Sequence, residues 1–268
     1  SASLRRLTRY ARQVSEGQRA ELPRVSGGEL QQLAEALQKM RTELEGKAYV
    51  ERYVHTLTHE LKSPLAAIRG AAELLEGEMP AAQRQRFVAN ISGESARLQQ
   101  LIERLLNLAQ VEQRQALEER VPVELRPLIE TVLSSQAARL EAAGLQVENR
   151  VEPGLCVLGE HFLLRQALGN LLENALDFTP PGGALIFSAE LQGEQVEWRL
   201  FNQAEAIPDY ALPRLTERFY SLPRPASGRK STGLGLNFVQ EVATLHAGSL
   251  QISNVAGGVQ VSLTLPRA

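Results

Sequence analysis

The spacing of apolar residues constrains the first part of this chain more than any other feature. Leu30, Leu33, Leu37, Met40 and Leu44 stand at alternating steps of three and four, and Leu98, Leu101, Leu105 and Leu108 repeat the pattern. A period near 3.5 lays one apolar stripe along a helix and calls for partner helices rather than a sheet. Leu4, Leu7, Ala11 and Val14 form an earlier helical stripe, and Gly17, Pro23, Gly27 and Gly28 punctuate a polar connector behind it. Between Leu44 and Val50 the heptad phase slips before Val54, Leu57 and Leu61 resume it, which alters the local supercoil and marks a candidate switch. This helix is predicted to run to about Leu75, with Gly77 and Pro80 in the turn, and a second from about Ala81 to Ala116. One such hairpin leaves apolar edges open. Two copies close them as a four-helix bundle, so burial alone predicts a homodimer with Leu57, Leu61, Leu101 and Leu105 on the seam.

From Val121 the period changes. Val121 to Leu125, Leu145 to Val151 and Leu155 to Leu158 read as strands, with helices at Pro127 to Ala143 and Glu160 to Phe178. Ala184 to Leu191 and Val196 to Asn202 form a hairpin around Gly193; a helix from Gly233 to His246 and strands Leu250 to Ser253 and Val259 to Leu265 follow. The pattern predicts an α/β two-layer sandwich with helices on one face of the sheet. Ala204 to Thr232 is irregular and rich in proline, glycine and basic residues, a length that in a compact domain belongs to a functional or disordered loop.

A chain of 268 residues is long enough for two folded units, and a net charge of −2 gives it no global affinity for nucleic acid. Its one cysteine, Cys156, excludes an internal disulfide framework and fits a reducing compartment. No apolar run reaches the roughly 18 residues of a membrane span, and the amino end has no secretory pattern; the chain reads as soluble, with the natural protein expected to continue upstream of Ser1-Ala2-Ser3.

The chemistry gathers at three places. His59 and Glu60 lie on a helix whose stripe of Val54, Leu57, Leu61 and Leu65 leaves them off the seam, and Pro64, which clashes with the carbonyl of Glu60, predicts a bend just beyond. His55 stands one turn before His59, but a metal pair there lacks a third ligand, and Ser63 occupies the second histidine position of a zinc protease. Asn170 and Asn174 lie four apart on one helix face and offer neutral oxygens of the kind Mg2+ accepts. Gly233 and Gly235 open a helix, where bare amides hold phosphate.

In this order the motifs resemble the bacterial sensor histidine kinases. His59-Glu-Leu-Lys-Ser-Pro-Leu65 is similar to their phosphoacceptor box, Asn170-Leu-Leu-Glu-Asn-Ala175 to their asparagine box, Glu217-Arg-Phe-Tyr220 to their aromatic box, and Thr232-Gly-Leu-Gly-Leu236 with Gly257-Gly258 to their glycine motifs. The helix, proline connector and helix opening on Gly28-Glu29-Leu30 resemble a HAMP relay. The resemblance implies a HAMP-like relay at 1–46, a dimerisation and histidine phosphotransfer domain at 47–118, and at 119–268 an ATP-binding domain of the type shared with gyrase and chaperone ATPases. It implies that His59 accepts phosphate from ATP, that Glu60 is its acid/base partner, and that Ser63 orients a water for dephosphorylating the regulator. Asn170 and Asn174 would hold Mg2+ and phosphates. Phe178 would line the adenine side, Asn202 would meet the adenine amino group, Arg218 with Phe219 would belong to the lid, and Gly233, Leu234 and Gly235 would hold the triphosphate. The implied partner is a response regulator receiver domain, and the implied location is the cytoplasmic side of an inner membrane, below an upstream transmembrane helix.

Three departures stand out. Asn202-Gln203-Ala204-Glu205-Ala206 replaces the family's Asp-x-Gly-x-Gly, Asp177 replaces a basic residue, and Ser231 replaces a lid glycine. Weakened ATP binding is expected, with a degenerate kinase acting as phosphatase or scaffold as the alternative. A chaperone or topoisomerase ATPase is disfavoured by the histidine helix.

Overall fold

A computed structural model describes residues 6, 8–10, 12–13, 23, 28–228 and 230–268, and the chain divides into two compact units, Ser1–Ser63 and Pro64–Ala268. In the first unit, Tyr10 is 2% exposed and its hydroxyl donates to Gln38 Oε1 at 3.0 Å, so the amino-terminal helical segment packs on the helix that follows. That helix is α1, Gly28–Leu75. It runs unbroken through the segment where the heptad phase slips. Leu4, Leu7, Ala11, Val14, Gly17 and Gly27, and the side chains of Leu30, Leu33, Leu37, Met40 and Leu44, lie outside the described residues. Pro64 sits inside α1 at the boundary between the units, and it removes the amide that the Glu60 carbonyl would otherwise receive.

In the second unit α1 ends in a turn closed by Glu76 and Gly77, and α2 spans Ala81–Gln113. This is three residues short of the expected Ala116. Arg114 turns to extended backbone (φ −78°, ψ 135°) because its guanidinium is drawn to Glu160 at 2.8 Å. Leu101 is 3% exposed within the single chain, while Ile102 (49%) and Leu106 (58%), on the adjacent face, stand open. The face of α2 left uncovered is therefore not the expected one through Leu101.

β1 (Val121–Glu124) pairs antiparallel with β3 (Cys156–Gly159). Between them lie α3 (Leu125–Ser135), α4 (Ala137–Ala142) and β2 (Gln146–Asn149). One helix was expected where two are found. The break falls at Gln136, after Ser134 and Ser135, whose hydroxyls bond back to the carbonyls of Glu130 and Val132 and compete with continued helix. Then come α5 (His161–Phe178), β4 (Ala184–Gln192), β5 (Gln195–Gln203), α6 (Gly235–Leu245), β6 (Ser249–Val255) and β7 (Gly258–Pro266). The five-stranded sheet has the order β2-β4-β5-β7-β6, parallel only between β2 and β4.

Alternation decides which face of the sheet is covered. Val196, Trp198, Leu200 and Asn202 of β5 share one buried face with Leu185 and Phe187 of β4. Leu164, Leu171 and Leu172 of α5 and Phe238, Val239 and Val242 of α6 complete this core. Each large side chain so buried contributes about 1.5–3 kcal/mol. α2 packs against α6, and that contact carries the hairpin to the edge of the sheet domain. A second joint is His246, fully buried, whose Nδ1 faces the Val242 carbonyl at 2.7 Å while Nε2 accepts the Glu160 amide at 3.1 Å. Burial lowers its pKa against the raising influence of Val242 and Glu160, which keeps the ring neutral with its proton on Nδ1.

Candidate functional site

α5 buries Leu164, Leu168, Leu171 and Ala175 at helical spacing, which turns Asn170, Asn174 and Phe178 to its half-buried edge. Asn202 reaches the same region from the end of β5, and the irregular stretch after it folds back above. That stretch is tied down rather than loose. Pro223 bridges to Lys230, Phe219 N donates to Gly233 O at 2.9 Å, and Ser231 Oγ accepts the Gly233 amide at 3.4 Å. Gly233 has φ +67°, and a Cβ there would lie 2.5 Å from the backbone carbon of Phe219. Only glycine fits. The same positive φ explains why α6 begins at Gly235 and not at the expected Gly233.

Two cavities result. The larger, about 350 Å3, is lined by Asn174, Phe178, Asn202, Gly233 and Gly235, together with Ala204 and Ala206. The smaller, about 190 Å3, is lined by Asn170, Leu234 and again Gly235, so the two share a wall at the start of α6. Seven of the twelve residues singled out from sequence thus converge around these cavities: Asn170, Asn174, Phe178, Asn202, Gly233, Leu234 and Gly235. Neither Asn170 nor Asn174 spends its carboxamide on a hydrogen bond among the described residues, which leaves their oxygens available to a hard cation. Among the described residues no cluster of three His, Cys, Asp or Glu is close enough to hold a metal by itself.

The amide of Asn202 has one possible orientation. Thr179 Oγ1 gives its proton to Ala175 O at 2.6 Å, so toward Asn202 it can only accept, and Nδ2 donates to it at 3.3 Å. The oxygen of Asn202 is then the acceptor left for a ligand. Neither Ala204 nor Ala206 has positive φ, so of the two ways an added methyl could weaken binding there, backbone strain or lost ligand space, only the loss of space in the cavity applies.

Other predicted residues lie elsewhere. Arg218 lines neither cavity, and its guanidinium forms an ion pair with Glu112 of α2. Phe219 has φ +62° and contributes its backbone through Gly233. His59 and Ser63 are exposed on α1 and Glu60 is half-exposed, with no hydrogen bond between His59 and Glu60 among the described residues. The imidazole of His55 meets that of His59 edge to face, ring centres 4.7 Å apart.

Sequence reasoning missed the ionic partners around the cavities. Arg104 of α2 lines the smaller cavity and bonds Glu173, between the two asparagines, at 2.6 Å, and Thr232 at 3.4 Å. Arg139 and Arg224 both pair with Asp177. The reversed charge at position 177 was the one visible hint.

Comparison with known proteins agrees with this geometry. Residues 159–268 match the family described as "Histidine kinase-, DNA gyrase B-, and HSP90-like ATPase", residues 49–114 the "His Kinase A (phospho-acceptor) domain", and residues 1–46 the HAMP domain. The chain is 49% identical over 267 residues to the sensor protein CreC of Escherichia coli K12, covering 99% of this chain and 56% of that relative. It therefore spans little more than half the length of CreC. Among solved structures, full-length ShkA in complex with AMPPNP aligns at a TM-score of 0.58 and 26% identity, over 81% of this chain and 46% of that one. The histidine kinase ThkA in complex with the response regulator TrrA aligns at a TM-score of 0.69 and 19% identity, over 86% of this chain and 66% of ThkA, and shares the fold.

Proposed function

We propose that the chain is part of a sensor histidine kinase, as its matches to the ATPase and phosphoacceptor families and its 49% identity to CreC support, and that it transfers the γ-phosphoryl group of ATP to His59 and then to an aspartate of a response regulator. The observation that carries the reading is the convergence of Asn174, Phe178, Asn202, Gly233 and Gly235 on one cavity, in a chain that also presents an exposed histidine inside a phosphoacceptor match. Supporting it, the Asn202 oxygen suits a donated amino group such as that of adenine, the aromatic ring of Phe178 suits a base, and the amides of Leu234 and Gly235 at the start of α6 suit phosphate. Asn170 and Asn174 are the residues that would hold Mg2+, which supplies charge neutralisation on the phosphate oxygens. In the transfer a neutral nitrogen of His59 attacks phosphorus, the N–P bond forms as the bond to the bridging oxygen breaks, ADP leaves, and Glu60 takes the proton from the other ring nitrogen. Ser63, one turn after His59, is assigned to holding the water that attacks the phosphorylated regulator.

The division at 1–46, 47–118 and 119–268 is kept, supported by the β1–β3 pairing that ties residues 121–124 to the sheet domain. A homodimer and attachment to a membrane through a segment outside this chain complete the proposal; among the described residues no helix is long and apolar enough to cross a membrane. Incubation with γ-labelled ATP is expected to give acid-labile label on the wild type, none on His59→Gln, and slower labelling with unchanged nucleotide affinity on Glu60→Gln. Label persisting in His59→Gln would overturn the assignment.

A further inference from the structure

We propose that Asp177 is a positioning residue that holds Arg224 ready for the phosphate oxygens of the nucleotide, an inference that rests on the ATP-binding reading above. Asp177 follows Asn174 by three residues and directly precedes Phe178, and both neighbours line the larger cavity. Its carboxylate is only 12% exposed and is divided between two elements. One oxygen takes Arg139 Nη2 of α4 at 3.2 Å, and the other takes Arg224 Nη2 of the segment between β5 and α6 at 2.8 Å. Two guanidiniums on one carboxylate leave a net positive charge beside the cavity, because arginine stays protonated at any accessible pH.

Arg224 is also incompletely used. Its Nε is buried without a hydrogen-bond partner in the structure, while the side chain as a whole is 35% exposed. Arg224 itself lines neither cavity, but its neighbours Pro223 and Pro225 both line the larger one and Pro223 is anchored to Lys230, so the backbone on either side of it is held at the cavity rim. A cation with spare donors, fixed through one oxygen of a shared carboxylate, is suited to an anion with several oxygens. The phosphate chain of a nucleotide seated in the cavity is that anion.

Calorimetry on the 268-residue chain with Mg2+ and AMP-PNP, and separately with adenosine, separates this role from a structural one. Arg224→Gln is expected to weaken AMP-PNP about tenfold and to leave adenosine unchanged. Asp177→Asn is expected to weaken AMP-PNP by about three- to tenfold, again sparing adenosine, and to add nothing in the Arg224→Gln background. Asp177→Glu, which keeps the charge, should stay within about threefold of wild type. Unchanged AMP-PNP affinity in Arg224→Gln, equal losses for both ligands, or additive losses in the double variant would each overturn the proposal while leaving the ATP reading intact. A wild type that binds neither ligand would defeat the ATP reading and this inference with it.

Discussion

At the scale of single residues, Thr179 governs what a substitution at position 202 can achieve. A carboxylate in Asn202→Asp gains charge-assisted bonding to an amino group, but the Thr179 proton must then turn away from Ala175 O to meet it. Ala204→Gly and Ala206→Gly relieve no backbone strain and add only space. The triple restoration is therefore expected to tighten ATP by about tenfold, roughly 1.4 kcal/mol, in calorimetry, and an unchanged Kd would show that the base is held by other groups. His246 sets a second expectation. Burial depresses its folded pKa below the ordinary 6.5, so the unfolded chain binds the extra proton first as pH falls. The stability it contributes is full above about pH 6.5 and is lost as pH drops from there toward the folded pKa. Urea melts from pH 7.5 to 5 should show this slope, and His246→Gln should flatten it.

Among the elements, the start of α6 carries the sharpest contrast. Gly233 has positive φ and backbone atoms of Phe219 and Tyr220 against it, whereas a Cβ on Gly235 would meet Asn170 at an ordinary 3.9 Å. Gly233→Ala should cost at least about 1 kcal/mol and lower Tm by roughly 2–4 °C. Gly235→Ala should leave Tm within a degree or so of wild type. Equal losses would mean that the 219–233 clamp is not what seats the segment. The clamp also shows why element limits were partly illegible. Heptad spacing and alternation located α1, α2, α5 and all seven strands, but the ends of α2 and α6 were decided by Arg114 reaching Glu160 and by Gly233 locking onto Phe219. Partners distant in sequence leave no local periodic mark.

For the whole molecule, the open face of the hairpin tests assembly. Leu74, Val88, Ile102 and Leu106 are exposed in the single chain, and each stands to gain about 1.5–3 kcal/mol on burial against a second copy. Sedimentation at micromolar concentration is expected to give a dimer for the wild type and a monomer for Ile102→Glu with Leu106→Glu. A wild-type monomer would remove the dimer. The amino-acid sequence by itself determined the order of the helical and α/β parts, the alternation that buries one sheet face, and which residue types converge near Asn174, because periodicity and turn chemistry are local. Only the tertiary structure decided that Leu101 turns inward while Ile102 stays open, that Arg218 serves Glu112 and not the cavity, and that Asp177 gathers Arg139 and Arg224. Those outcomes depend on which surface each helix presents after packing, and on charges that find partners across tens of residues, where no spacing rule reaches.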